Sequence, residues 1–162
     1  MKAILFVSLL FILGEPHQQD DLVAAIDKSN FVGFIYHNRN APSEDLVFTA
    51  VEVFKGDVKY LIARNGEMNI IDERLYLVIG NVEGHFLSTL NFPARVVIDL
   101  PRTTLDILQR LPCYDDSIKK EYENLICTRE LDPVCGCDNK KYGNMCEMRK
   151  QGIVKFKPGN CK

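Results

Sequence analysis

The sequence predicts a small all-β barrel with a terminal helix, followed by a small cysteine-stapled unit. Three observations predict it. Between residues 31 and 100, short runs rich in β-branched and aromatic residues alternate with Gly, Asn and Pro breaks. All six cysteines lie at or after Cys113. The charge also changes sign along the chain: 11 Lys/Arg against 18 Asp/Glu from Glu15 to Ile126, but 8 against 4 from Cys127 to Lys162. The 162 residues are 46% hydrophobic and 26% charged, which excludes a disordered, collagen-like or polytopic membrane chain. A formal net charge of −2 argues against nucleic acid as a partner, because phosphate neutralisation needs a basic face.

Residues 1–14 read as a signal peptide. Met1-Lys2 is a short basic start, Ala3 to Leu13 is apolar apart from Ser8, and Gly14 precedes the polar stretch Glu15 to Asp21. The apolar run falls well short of the roughly 20 residues a spanning helix needs. No later segment is long and apolar enough to span, so the expected product is secreted and extracellular, with no membrane partner. In an oxidising compartment an even cysteine count implies a disulfide framework. No Asn-x-Ser/Thr sequon occurs.

Residues 15–113 are assigned to the barrel domain. Asp21 to Lys28 is a short amphipathic stretch. Five or six strands follow, at Phe31 to His37, Leu46 to Phe54, Val58 to Ala63, Leu75 to Ile79, His85 to Leu90 and Val96 to Leu100. Their breaks carry turn chemistry, at Asn38 to Pro42, Lys55-Gly56-Asp57, Asn65-Gly66, Gly80-Asn81 and Glu83-Gly84. Such spacing suggests a closed sheet rather than βαβ units. Leu105 to Leu111 has helical spacing, with Thr103 or Thr104 as N-cap and Pro112 as stop.

Enzyme signals are poor. His17, His37 and His85 stand in no metal-ligand pattern, and no GxSxG-type nucleophile setting occurs, so neither an enzyme, a metal site nor a cofactor is expected. Phe34, Tyr36, Phe48, Phe54, Tyr60 and Tyr76 read as core or sheet surface.

The order of elements, with Ala50 to Gly56 on a long strand, Leu75 to Gly80 and the closing helix, resembles the netrin-like module of tissue inhibitors of metalloproteinases. That resemblance implies an OB-like barrel. Inhibition of metalloproteinases in that family uses an N-terminal cysteine, which has no counterpart near Glu15, so that activity is not expected.

Residues 114–126 read as a linker, and residues 127–162 carry the expected function. Seven residues separate Cys127 from Cys135, and ten separate Cys135 from Cys146. Tyr142 and Asn144 lie four and two before Cys146, and Cys161 closes the unit. With Asp132-Pro133-Val134-Cys135-Gly136 and Asp138-Asn139-Lys140, this segment resembles a Kazal-type serine protease inhibitor domain, a small disulfide-rich α+β fold. It departs from the family pattern: the fifth cysteine would fall at Arg149 and the first just upstream of Cys127, and neither is present. Six cysteines allow many pairings. The resemblance implies Cys127–Cys146 and Cys135–Cys161, leaving Cys113 and Cys137 to join.

The family's reactive bond follows the second residue after its second cysteine. The resemblance therefore implies P1 Arg129 and P1′ Glu130. Cys127, Thr128, Leu131, Asp132 and Pro133 would complete the protease-contact loop, and Asn144 and Tyr142 would support it. An arginine at P1 implies a trypsin-like serine protease as partner, because a guanidinium engages a buried carboxylate in two-pronged fashion. A second extracellular protein partner for the barrel stays open. The alternative function is a matrix or growth-factor binding module with a non-inhibitory, follistatin-like Kazal unit.

Overall fold

The computed structural model describes residues 15–37, 46–63, 74–96 and 100–162. The signal segment 1–14, the turns at 38–42 and 65–66, and residues 97–99 of the last expected strand lie outside the described residues.

The barrel is built from α1 (Glu15–Lys28), β1 (Phe31–His37), β2 (Leu46–Lys55), β3 (Tyr60–Ala63), β4 (Leu75–Glu83), β5 (Phe86–Val96) and α2 (Arg102–Arg110). β1 pairs antiparallel with both β2 and β4, β4 with β5, β5 in parallel with β3, and β3 with β2. The circuit β1-β2-β3-β5-β4 returns to β1, the closed Greek-key order of an OB-type barrel. Two irregularities in the β1–β2 register, at Val32/Gly33 and Phe34/Ile35, put extra residues on β2 and let it coil around the barrel.

Periodicity explains which residues enter the interior. On β4 the run Tyr76-Leu77-Val78-Ile79 is buried on both faces. Tyr76 and Val78 join the barrel core with Phe31, Ile35, Phe48, Ala50 and Leu61, while Leu77 and Ile79 face the opposite way under the helices. Leu22, Ala25 and Ile26 of α1, spaced i, i+3, i+4, form a single buried stripe on that outer layer, joined by Leu108 of α2. Buried Ser29 is satisfied by donating to the Ala25 carbonyl at 2.7 Å.

Three sequence-based expectations change. α1 starts at Glu15, six residues before the expected amphipathic stretch. The expected strand at His85 to Leu90 is longer, β5 continuing through Asn91-Phe92-Pro93 to Val96. Pro93 falls at an irregularity of the β4–β5 register, between the pairs Ile79–Phe92 and Leu77–Arg95. The N-cap of α2 is Pro101, with no side-chain cap bond, and both threonines sit inside the helix.

The C-terminal region contributes α3 (Asp116–Tyr122), β6 (Val134–Gly136), β7 (Lys141–Tyr142), α4 (Met145–Lys150) and β8 (Phe156–Pro158). β6 pairs with β7 and β8, and β8 joins the barrel where Phe156 opposes Val53 of β2. Val134, Met148, Ile153 and Phe156 belong to the same buried cluster as the barrel interior. The two regions read from the sequence therefore share one sheet and one core.

The stretch read as a linker carries α3, which packs against α4. Asp115 caps α3 by accepting from the Ser117 amide at 2.8 Å and its hydroxyl at 2.6 Å. Those bonds hold the Asp115 carboxyl below its ordinary value. Just before it, Tyr114 bridges Ile153, and the Asp115 amide donates to Gly152 at 2.8 Å. Gly152 has φ +78°, and a Cβ there would lie 2.6 Å from the Tyr114 ring, so only glycine fits that approach.

Candidate functional site

The segment from Cys127 to Pro133 has no regular secondary structure and runs over the surface. Thr128, Arg129, Glu130, Leu131 and Asp132 are all exposed, Leu131 by 86%. An irregular exposed segment should be loose. This one is fixed at both ends and at three points between.

The ends are covalent. Cys127–Cys146 ties the start to α4, and Cys135–Cys161 ties the exit strand β6 to the C-terminal segment. The third bridge, Cys113–Cys137, joins the chain just after α2 to the turn after β6. Among the described residues no cysteine is free.

Asn144 supplies the central support. It is 8% exposed and occupies the N-cap of α4, where its Oδ1 accepts from the Glu147 amide at 3.0 Å. That bond fixes the carboxamide, so its Nδ2 faces the loop. There it donates to the Thr128 carbonyl at 3.0 Å and the Glu130 carbonyl at 3.2 Å. The two acceptors flank Arg129. Glu147 completes the cap by accepting from the Gly143 amide at 3.0 Å.

Beyond Arg129 the Asp132 amide donates to the Gly143 carbonyl at 2.9 Å, and Gly159 donates to Pro133 at 2.8 Å. Tyr142, opposite Val134, packs against the shared core. Its hydroxyl donates to Asp138 at 2.7 Å, and burial together with that carboxylate pushes its pKa up to about 12.

Two side chains that sequence reasoning missed bring the barrel to this region. Lys59, at the end of the β2–β3 turn, donates to the Asp132 carbonyl at 2.7 Å and lies 2.6 Å from its carboxylate. Arg149 of α4, only 2% exposed, donates from Nη2 to the Gly56 carbonyl and the Asp57 carboxylate, and from Nη1 to Ile153 at 2.9 Å. Gly56 has φ +106°, and its α-carbon face is closed by the Asn30 carbonyl, 2.8 Å from where a Cβ would be. The absence of the family's fifth cysteine at Arg149 was a signal in the sequence; nothing in the sequence pointed to Lys59.

Residues 116–161 match the family model of Kazal-type serine protease inhibitor domains. This unit is a Kazal-type domain. The match begins at α3, so it includes most of the stretch read as a linker. No curated protein matches the chain in sequence. The Kazal domain places the C-terminal unit in a family of serine protease inhibitors and points to a non-enzymatic role. Three disulfides are typical of extracellular proteins, and among the described residues no helix is long and apolar enough to cross a membrane. Among those residues no group of His, Cys, Asp and Glu side chains could hold a metal ion. A cavity of about 420 Å³ lies at the seam between barrel and Kazal domain, lined by Ile26, Phe54, Asp57, Ile118 and Arg149, and none of residues 127–133 borders it.

Proposed function

We propose that this protein is a secreted inhibitor of trypsin-like serine proteases that presents Arg129–Glu130 as a substrate-like reactive bond. The observation that carries the reading is the Asn144 carboxamide, which bonds the carbonyls on both sides of an exposed arginine.

A serine protease binds its substrate as an extended strand and seats the P1 side chain in a pocket; its serine attacks the P1 carbonyl, forming an acyl-enzyme and releasing the amine of P1′. Arg129 is the P1 side chain, and its guanidinium matches a pocket with a carboxylate at its floor. Thr128 at P2 is β-branched and favours the extended backbone. Pro133 fixes φ at the far end of the loop. Leu131, nearly fully exposed, offers an apolar contact that becomes buried only in a complex. The ordering cost of the loop is met when the domain folds rather than on association, which is how a short segment binds tightly. After cleavage the two new termini stay tethered by Cys127–Cys146 and Cys135–Cys161, so religation competes with release.

Titration of trypsin with the protein tests the reading. Stoichiometric inhibition is expected. Arg129→Ala should weaken it by about a thousandfold, the cost of leaving a buried carboxylate unpaired at a central contact. Arg129→Leu should transfer inhibition to a chymotrypsin-like enzyme. Wild-type protein that leaves trypsin fully active at micromolar concentration would overturn the proposal, and is the outcome expected of a non-inhibitory matrix module.

A further inference from the structure

Among the described residues, the barrel contributes one side chain to the loop itself. Lys59 is 73 residues from Asp132 in sequence, yet its Nζ lies 2.7 Å from the Asp132 carbonyl, 2.6 Å from the Asp132 carboxylate and 3.4 Å from the Pro133 carbonyl. Its side chain is 13% exposed, although the carboxylate it meets is 61% exposed. Lys59 is in turn held in place. Its own carbonyl accepts from the Ala50 amide of β2 at 2.7 Å, and the turn before it is gripped by Arg149 at Gly56 and Asp57.

Counted from Arg129 as P1, Asp132 is P3′. Its amide is held by Gly143 of the Kazal domain and its carbonyl by Lys59 of the barrel. Asn144 fixes the carbonyls around the reactive bond, and Lys59 fixes the arm that leads away from it.

We infer that Lys59 is a positioning residue for the reactive loop, so that the barrel acts as part of the inhibitor's scaffold by rigidifying the primed side. The inference rests on the reading of Arg129–Glu130 as the reactive bond. The contact that matters is the one to the backbone carbonyl. An ion pair to an exposed carboxylate contributes little, whereas a charge-assisted bond to a main-chain oxygen restricts the backbone that enters the protease. A looser primed arm has two consequences. More ordering is left to be done on association, which weakens binding. The new amino terminus at residue 130 also strays further from the acyl-enzyme, so religation loses to hydrolysis.

The test compares full-length wild-type protein with Lys59→Met, Lys59→Gln and Lys59→Arg, each with its three disulfides verified by peptide mapping. Trypsin Ki, the kcat and KM of slow cleavage at 129–130, and 15N relaxation of the Leu131 and Asp132 amides without protease are measured. Lys59→Met should raise Ki by about tenfold and raise the kcat of cleavage by a similar factor, with amide order lowered at residues 131 and 132. Lys59→Arg, which keeps a cationic donor within reach, should restore both. Lys59→Gln stands in if the methionine variant does not fold. A folded Lys59→Met or Lys59→Gln protein with the Ki and cleavage kinetics of wild type would overturn the inference. Wild-type protein that inhibits no trypsin-like enzyme overturns the reading of the reactive bond instead. The relaxation comparison then decides Lys59 alone: lost order at 131 and 132 keeps it as the residue that fixes this segment, and unchanged order overturns that role.

Discussion

Arg149 joins the Kazal domain to the barrel, and replacing it tests how much of the fold depends on that junction. Its guanidinium is 2% exposed, donates to the main-chain carbonyls of Gly56 and Ile153, pairs with Asp57, and lies 5.9 Å from the Phe156 ring centroid. Arg149→Met keeps most of the apolar stem and removes the charge together with its donors. Asp57, with a side chain 59% exposed, returns to water at little cost. The Gly56 and Ile153 carbonyls do not fare so well. Each charge-assisted bond lost to these carbonyls costs about 1.5–3 kcal/mol, and the methionine recovers about 1 kcal/mol by filling the space. The expected loss is about 3 kcal/mol, a large share of the 5–15 kcal/mol that typically separates folded from unfolded states. For a chain of this size it corresponds to a fall in Tm of about 10 °C.

Asp57→Asn is the complementary change. It leaves a buried guanidinium with two carbonyls and no counter-charge, and should cost about 2 kcal/mol. Because both substitutions break one junction, the double variant should be no less stable than Arg149→Met alone, a coupling of about 2 kcal/mol in a double-mutant cycle. Urea denaturation with the disulfides intact, followed by circular dichroism, measures all four proteins. A loss below about 1 kcal/mol for Arg149→Met, or simple additivity of the two changes, would refute the reasoning.

Asn144 and Tyr142 give two further predictions. Asn144→Asp keeps an oxygen to cap α4 but turns a second oxygen toward the Thr128 and Glu130 carbonyls. Tm should therefore fall little, while trypsin Ki rises by about 30-fold or more through two lost bonds and a new repulsion; equal loss of both would show that the two donors do not matter to the loop. Tyr142, with its pKa raised to about 12, stays neutral in the folded protein while an ordinary tyrosine ionises near 10. Its contribution is thus fully present below pH 10 and lost as the pH rises from 10 toward 12, because in that window the unfolded chain holds fewer protons. Tyr142→Phe should cost about 1 kcal/mol at pH 7 and flatten that alkaline decline. An unchanged decline would assign it to other groups.

What the sequence made legible followed from local chemistry. β1 begins where its aromatic and branched residues do, because Asn30 before it does not extend the run. The proposed reactive segment was legible through cysteine spacing and the positions of Tyr142 and Asn144, but the pairing of six cysteines came only through family resemblance. β5 was read too short because Asn91-Phe92-Pro93 carries break chemistry, which the strand absorbs in the register irregularity around Pro93. The Thr103 and Thr104 caps failed for a similar reason: Pro101, with φ already at −57°, starts the helix without a side-chain bond. Contacts such as Lys59 to Asp132 and Arg149 to Gly56 join residues more than 70 positions apart. One sequence records no pairing between such positions, so the dependence of loop on barrel was beyond its reach.

The altered cysteine pattern then acquires a physical explanation. A small domain with too little core of its own relies on covalent staples, each typically contributing about 2–4 kcal/mol. Here the staple that the Kazal pattern would place at residue 149 is missing, and a buried arginine stands there, bonded across to the barrel. Cys113–Cys137 instead anchors the domain to the chain that leaves the barrel, and Met148, Ile153 and Phe156 are buried in the barrel's own core. Phe156 also pairs with β2, and Lys155 donates to the Gln109 carbonyl of α2 at 2.9 Å. The stabilisation an isolated domain draws from its third bridge comes in this chain from burial against a neighbour. Such an arrangement makes the β2–β3 turn structurally continuous with the proposed reactive loop, since Arg149 grips one end of that turn and Lys59 extends from the other. A disturbance of the barrel at Gly56 to Lys59 should therefore reach the loop's primed side before it reaches Arg129, whose neighbouring carbonyls are held within the Kazal domain by Asn144.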